Sequence, residues 1–265
     1  MRLAFSTLGV PTLPVDKVVR LATDHGYHGV ELRASEEGPV HTGLSAAERA
    51  GVAERFAAAG IDIVTVAAYA QVAAPGADGP VLEEARAALG LAADLGASFV
   101  RVFPGGGEAA SGETDEVAAR RLAALAPLAE DLGVRVLLET HDSHRAGADV
   151  ARVVGLVGHR AIGAMWDVMH TWLAGEQPSS TWSVLAPFLG CVQVKDIASA
   201  TDTTPLPLGA GVLPLAETIE VLSRAQWEGW LCWEYEKRWY EQAADLPGLL
   251  GPGRELLVRL LSESA

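Results

Sequence analysis

Short apolar runs alternate with longer amphipathic runs from one end of the chain to the other. Leu3–Leu8, Gly29–Arg33, Asp62–Ala67, Ser98–Phe103, Arg135–Glu139, Gly163–Asp167, Cys191–Lys195 and Trp230–Glu234 read as strands. Between and after them, Asp16–His25, Ala46–Ala59, Val81–Leu95, Asp115–Leu132, Ala148–Val157, Thr181–Leu189, Leu215–Ala225 and Leu249–Ser262 read as helices. Gly26, Gly60, Gly96 and Gly133 stand where helix C-caps belong, and each precedes the next strand by a few residues.

Eight strands, each followed by a helix, predict an α/β fold with a parallel sheet, and eight such units can close it into a (β/α)8 barrel. An open doubly wound sheet is the alternative, but it usually carries a glycine fingerprint after its first strand. That turn here reads STLGVPTLP and lacks G-x-G-x-x-G. No shift in composition divides the chain, so a single domain over 1–265 is expected. The length of 265 residues suits one barrel of ~250 residues.

Composition narrows the function. The hydrophobic fraction of 49% supports a large core, and the formal net charge is −14. A field of that sign repels phosphodiester backbones, so no nucleic-acid partner is expected. No basic start precedes an apolar run and no apolar stretch reaches ~18 residues, so neither a signal peptide nor a membrane span is expected. Cys191 and Cys232 form no metal-type spacing and read as core fillers. A cytoplasmic enzyme is the resulting expectation.

In a parallel barrel all strand C-termini open on one face, where chemistry collects. The fifth strand, VRVLLETH, ends at Glu139 and His141. The sixth, GAMWDVMH, ends at Asp167 and then His170. The seventh, CVQVKD, carries Gln193, Lys195 and Asp196, and the eighth, LCWEYE, carries Glu234 and Glu236. Close anions disfavour one another's ionisation, and a divalent cation removes that penalty. An oxygen-rich shell suits Mg²⁺ or Mn²⁺, and Gln193 can add an amide oxygen. Against this stands the bland reading of each acid as a loop or capping residue.

The segments LLETH, MWDVMH, VQVKD and WEYEKRW, with VELR at 30–33 and LGAGVLPL at 208–215, resemble the sugar phosphate isomerase/epimerase group, the xylose isomerase-like TIM barrels. The resemblance covers almost the whole chain in motif order. It implies one divalent ion, Mn²⁺ first with Mg²⁺ or Co²⁺ as substitutes, held by Glu139, Asp167, Gln193 and Glu234. Gln193 departs from the family's usual His. The resemblance further implies a metal-stabilised enediolate, with Glu139 and Glu234 as the acid/base pair on opposite faces of a small sugar, keto-sugar or sugar phosphate. Isomerisation or epimerisation follows; dehydration of a keto-sugar or polyol on the same site is the alternative. Relatives often form homo-oligomers.

Other mouth residues are candidates for substrate contact. His170 matches a substrate-contacting position of the family. Lys195 shares the strand parity of Gln193, and Arg101, Glu31 and His141 stand near the ends of their strands. Arg33 ends strand two and either binds hydroxyls or pairs. His25, His28, His41, His144 and His159 read as surface or loop residues. The clusters PGGG at 104–107 and LGAG at 208–211 either bind phosphate through backbone amides or serve as turns. An apurinic-type endonuclease and a non-catalytic sugar binder are further readings; few histidines at strand ends and the acidic charge weigh against the first.

Overall fold

Valine, isoleucine, leucine and alanine fill both faces of the strand segments, as a sheet buried on both sides requires. In the computed structural model, which describes residues 1–264, these segments form a closed parallel barrel. Its strands are β1 (Arg2–Ser6), β2 (Gly29–Arg33), β3 (Asp62–Gln71), β4 (Phe99–Phe103), β5 (Arg135–Glu139), β6 (Ile162–Asp167), β7 (Leu189–Val194) and, last in the chain, β10 (Trp230–Trp233). Two further strands, β8 (Ile197–Ser199) and β9 (Asp202–Pro205), form a separate antiparallel hairpin above β7. The barrel closes where β1 pairs with β10, bringing Arg2 to Trp230 and Phe5 to Trp233.

The connecting helices are α1 (Val15–Asp24), α2 (Ala46–Ala58), α3 (Asp78–Leu95), α4 (Gly112–Asp131), α5 (Gly147–Val157), α6 (Val168–Leu173), α7 (Pro178–Leu185), α8 (Leu215–Arg224) and α9 (Leu250–Glu263). Ser45 opens α2 with a reciprocal capping box to Glu48, and Ser111 does the same for α4 with Thr114. Gly26, Gly60, Gly96 and Gly133 all adopt positive φ, between +67° and +71°, as their helix-ending role requires. The principal core lies between the helices and the outward faces of the strands, with Leu89, Leu122, Leu125, Trp166 and Trp233 among its fully buried members.

Several boundaries differ from the sequence expectation, most by one to three residues, and the following bear on the site or its frame. The first strand stops at Ser6, whose hydroxyl accepts the Leu8 N–H and caps a short 3₁₀ turn over Thr7–Gly9. The third runs on to Gln71, and this extension carries Tyr69 to the barrel mouth. The helix expected over Thr181–Leu189 occupies Pro178–Leu185, because Pro178 provides a favourable first-turn residue and Leu189 begins β7. The six-residue α6 was not expected. No helix among the described residues is long and apolar enough to cross a membrane.

Candidate metal and substrate site

Alternate residues of a strand point the same way, so the barrel interior is built in layers two residues apart. The lower layer is apolar: Ala4, Val64, Leu137, Met165, Cys191, Trp230 and Cys232, with Phe99 packed against them. Two positions further along, the same strands present Arg101, Glu139, Asp167, Gln193 and Glu234, all buried. Glu31 of β2 is buried with them. Cys191 and Cys232 are both free; burial pushes both thiols up, and they serve as small apolar filler beneath the polar layer.

Local chemistry fixes Asp167. Its Oδ1 accepts from the Met169 N–H at 2.8 Å and the His170 N–H at 3.4 Å, so this aspartate is the N-cap of α6. Thr140 clamps the ends of β5 and β6 together: its hydroxyl accepts the Asp167 N–H at 2.9 Å and lies 3.2 Å from the Asp167 carbonyl. The other carboxylate oxygen, Oδ2, is thereby aimed into the barrel, 2.7 Å from the Lys195 ammonium.

Lys195 is the hub of the arrangement. Its Nζ touches Asp167, Glu234 and, at 2.7 Å, Glu236. Glu234 and Glu236 therefore do face the same way, as their spacing predicts, and a lysine lies between them. Burial pulls the Lys195 ammonium down, but Asp167, Glu234 and Glu236 more than offset it, and the net shift is strongly upward. Gln193 spends its amide N–H groups on Glu31, at 3.1 and 3.3 Å, and on Glu234, at 3.1 Å. Its carbonyl oxygen is left without a partner.

Charge in this layer does not balance. Glu31, Glu139, Asp167, Glu234 and Glu236 face only Lys195 and Arg101 as fixed cations. Burial first, then Glu234, pushes Glu31 up to about 7. Burial pushes Glu139 up to about 8 against the pull of Arg101 and His141, with Glu234 and Asp167 adding to the rise. Glu236 is raised by burial as well. Unfilled hydrogen-bonding capacity concentrates here too. Among the described residues, Arg33 Nη1, Arg101 Nη1 and the Gln193 carbonyl oxygen are buried with neither a hydrogen-bond nor an ion-pair partner. Buried polar groups are normally satisfied, so such a cluster marks a place for a ligand.

Carboxylate oxygens of Glu139, Asp167 and Glu234 lie within 4.8 Å of one another, and all three residues are buried. Three acids, an orphaned amide oxygen and excess negative charge fit a hard divalent cation. Glu139, His141 and His170 also bring ligand atoms within 4.8 Å of one another. The His141 and His170 rings lie 4.0 Å apart, and Phe103 stands 4.5 Å from His141. Burial, His141 and Lys195 hold His170 well below the usual histidine range, which favours its neutral form.

All nine residues singled out from the sequence, Glu31, Arg101, Glu139, His141, Asp167, His170, Gln193, Lys195 and Glu234, meet at this mouth. Tyr69 and Phe103 escaped that reading. Tyr69 accepts a hydrogen bond from Arg33 Nε at 2.6 Å, and the Arg101 guanidinium lies 3.8 Å over the Phe103 ring. Continued apolar alternation past Ala67 was the available signal for Tyr69.

His144 lies in the loop after β5, one of the two places expected for it, but is fully buried there. Its Nε2 bonds Asp115 at 2.9 Å, its Nδ1 meets the Ser143 hydroxyl at 2.7 Å, and Ser143 accepts the Gly106 N–H at 3.0 Å. The chain of bonds ties the PGGG loop to the loop after β5. Of the tryptophans that follow strand ends at the mouth, Trp172 packs against Met169, Ile197 and Leu213, whereas Trp239 is 53% exposed.

The LGAG loop has a resident anion. The Asp196 carboxylate accepts from the amides of Gly209 and Gly211 at 2.9 Å and of Leu213 and Ile197 at 3.1 Å. A Cβ on Gly211 would lie 2.2 Å from the Ile197 carbonyl, so glycine is required by the close approach. Replacing Asp196 with Ala strands these amides; hydrogen bonds to a charged group contribute ~1.5–3 kcal/mol each, with overlap among them. A loss of about 2–4 kcal/mol in urea-unfolding stability is expected for Asp196→Ala, and a change below about 0.5 kcal/mol would show that the carboxylate does not hold the loop.

The family model described as xylose isomerase-like TIM barrel matches residues 19–257. The chain belongs to that family. Among curated protein sequences none matches. Solved structures that share the fold include a probable 3-DHS dehydratase, AsbF, from Bacillus anthracis, at 17% identity and TM-score 0.81 over 97% of this chain and 99% of that one. The IOLI protein with a bound zinc atom matches at 16% identity and TM-score 0.83 over 100% and 99%. An L-ribulose 3-epimerase matches at 17% identity and TM-score 0.82 over 99% and 95%.

Proposed function

We propose that this barrel is a divalent-metal-dependent isomerase or epimerase of a small sugar, keto-sugar or sugar phosphate. One observation carries the reading: acids from three separate strands converge, buried and undercompensated, at the mouth. Glu139, Asp167, Glu234 and the free oxygen of Gln193 would hold the ion. When bound, a divalent cation acts as a Lewis acid that polarises a substrate carbonyl and so acidifies the neighbouring C–H.

The side chains do the proton work. Glu139 and Glu234 leave different strands, so each can address its own side of a substrate lying in the mouth. Glu139 takes or returns a proton at its Oε2, the oxygen without an aligned partner; Arg101, 3.3 Å away, favours its ionised form. Lys195 and Gln193 both contact Glu234 and fix that carboxylate's orientation. His170, held toward its neutral form and partly exposed, is placed to hydrogen-bond a substrate hydroxyl. The named epimerase neighbour agrees with the reading at the level of fold.

The test is proton exchange. Metal-treated protein incubated with a panel of ketoses in D₂O should wash deuterium into the carbon beside the carbonyl and yield an isomer or epimer. Loss of water with formation of an unsaturated product would replace this reading with the lyase. Absence of both across the panel would remove it.

A further inference from the structure

We propose that the substrate bound at this mouth carries an oxyanion, a carboxylate or a phosphate, received by Arg33 and Arg101. The inference rests on reading the mouth as the active site and names the class of molecule it takes.

The two arginines are aligned by the sheet. Arg33 of β2 pairs in register with Ala67 of β3, and Ala67 pairs with Arg101 of β4. Their backbones thus sit at one level, two strand spacings or roughly 10 Å apart. Both side chains lean over the same ring: the guanidinium carbons lie 5.4 and 5.6 Å from the centre of Tyr69. Both residues are buried, Arg33 at 8% exposure and Arg101 at 3%.

Neither guanidinium is satisfied. Arg33 gives Nε to Tyr69 and Nη2 to Glu37 at 3.3 Å, and its Nη1 has no partner. Glu37 is no strong counter-ion for it, because Arg238 grips that carboxylate with three contacts at 2.8–3.0 Å. Arg101 makes an ion pair with Glu139 through Nε, and its Nη1 has no acceptor. Leaving a buried donor unmade is costly, and more so for a charged group. A guanidinium stays charged at any working pH and its fork of donors matches an oxyanion. A neutral hydroxyl would fill one donor and leave the charge uncovered. Of the two glycine loops, the 208–213 amides already hold Asp196 and the Gly106 amide of the 104–107 loop is taken by Ser143. The unpartnered Nη1 groups of the two arginines are therefore the donors left for an anion.

Calorimetric titration with D-fructose, 2-keto-D-gluconate and D-fructose 6-phosphate tests the inference, on metal-free and manganese-treated protein at low salt. At least one anionic probe should bind ten-fold or more tightly than D-fructose. Arg33→Met should erase that ratio, and Arg33→Lys, which keeps the charge, should retain part of it. Preference for the ketoacid alone assigns a carboxylate; preference for the phosphate alone assigns a phosphate. Equal binding of all three, failure of both anionic probes to bind, or an unchanged ratio in Arg33→Met overturns the inference. Exchange with neutral ketoses and no anion preference sinks this claim and keeps the reaction; anion preference without exchange does the reverse.

Discussion

Glu139→Gln and Glu234→Gln should each lower substrate proton exchange by ~10²–10⁴-fold, the range that positioned acid/base groups supply. Glutamine keeps the shape and one acceptor oxygen but cannot carry a proton from carbon. Glu139 tolerates the exchange physically: it is pushed up to about 8 without metal, so a neutral side chain already fits there. Glu234 is different, because Lys195 and Gln193 both contact it. The second variant should therefore lose stability as well as exchange, and the first should lose mainly exchange. Deuterium incorporation followed by mass spectrometry, beside a melting curve, separates the two effects. Wild-type exchange in either variant would remove that residue from the acid/base pair.

Lys195→Met should be the most damaging single change to the metal-free fold. Its ammonium is buried among Asp167, Glu234 and Glu236, and methionine fills the stem without the charge. Removing one partner from a buried ionic cluster costs ~3–5 kcal/mol. For a chain of this size that is a fall in melting temperature on the order of 10 °C. Manganese should recover part of the loss, because it supplies positive charge to the same acids. A variant that melts with wild type, and gains nothing from manganese, would show that Lys195 does not neutralise the cluster.

Much of the fold was legible because burial on both faces leaves a plain trace in sequence. The eight barrel strands are mostly apolar runs, and positive-φ glycines such as Gly96 stand before several of them. The mouth acids were legible for a related reason: Glu139, Asp167, Gln193 and Glu234 are polar residues one strand-period beyond apolar ones. The short elements were not. Helix α6 has too few residues to show a 3.6 period, and its N-cap, Asp167, looked only like the end of a strand. The β8–β9 hairpin is made of small polar residues with no alternation to read.

Contacts between distant positions were hidden too. Nothing local in CVQVKD says that Lys195 meets Asp167 across the barrel, or that the adjacent Asp196 turns outward into the LGAG amides. His144 gave no sign of its burial because Asp115 and the Gly106 amide behind Ser143 come from other segments. These are tertiary facts. Strand parity predicts which face a side chain takes, and packing decides what it meets there.

The central claim is that the converging acids hold a divalent ion. Titration of metal-free protein with manganese, read by elemental analysis after gel filtration, tests it against an Asp167→Asn variant. Asparagine still caps α6, so the start of that helix is kept while the charge is lost, and a melting curve shows that the variant is folded at the titration temperature. One equivalent per wild-type chain, with affinity sharply reduced in the variant, is the predicted outcome. No bound manganese in the wild type, or the same affinity in both proteins, would contradict it.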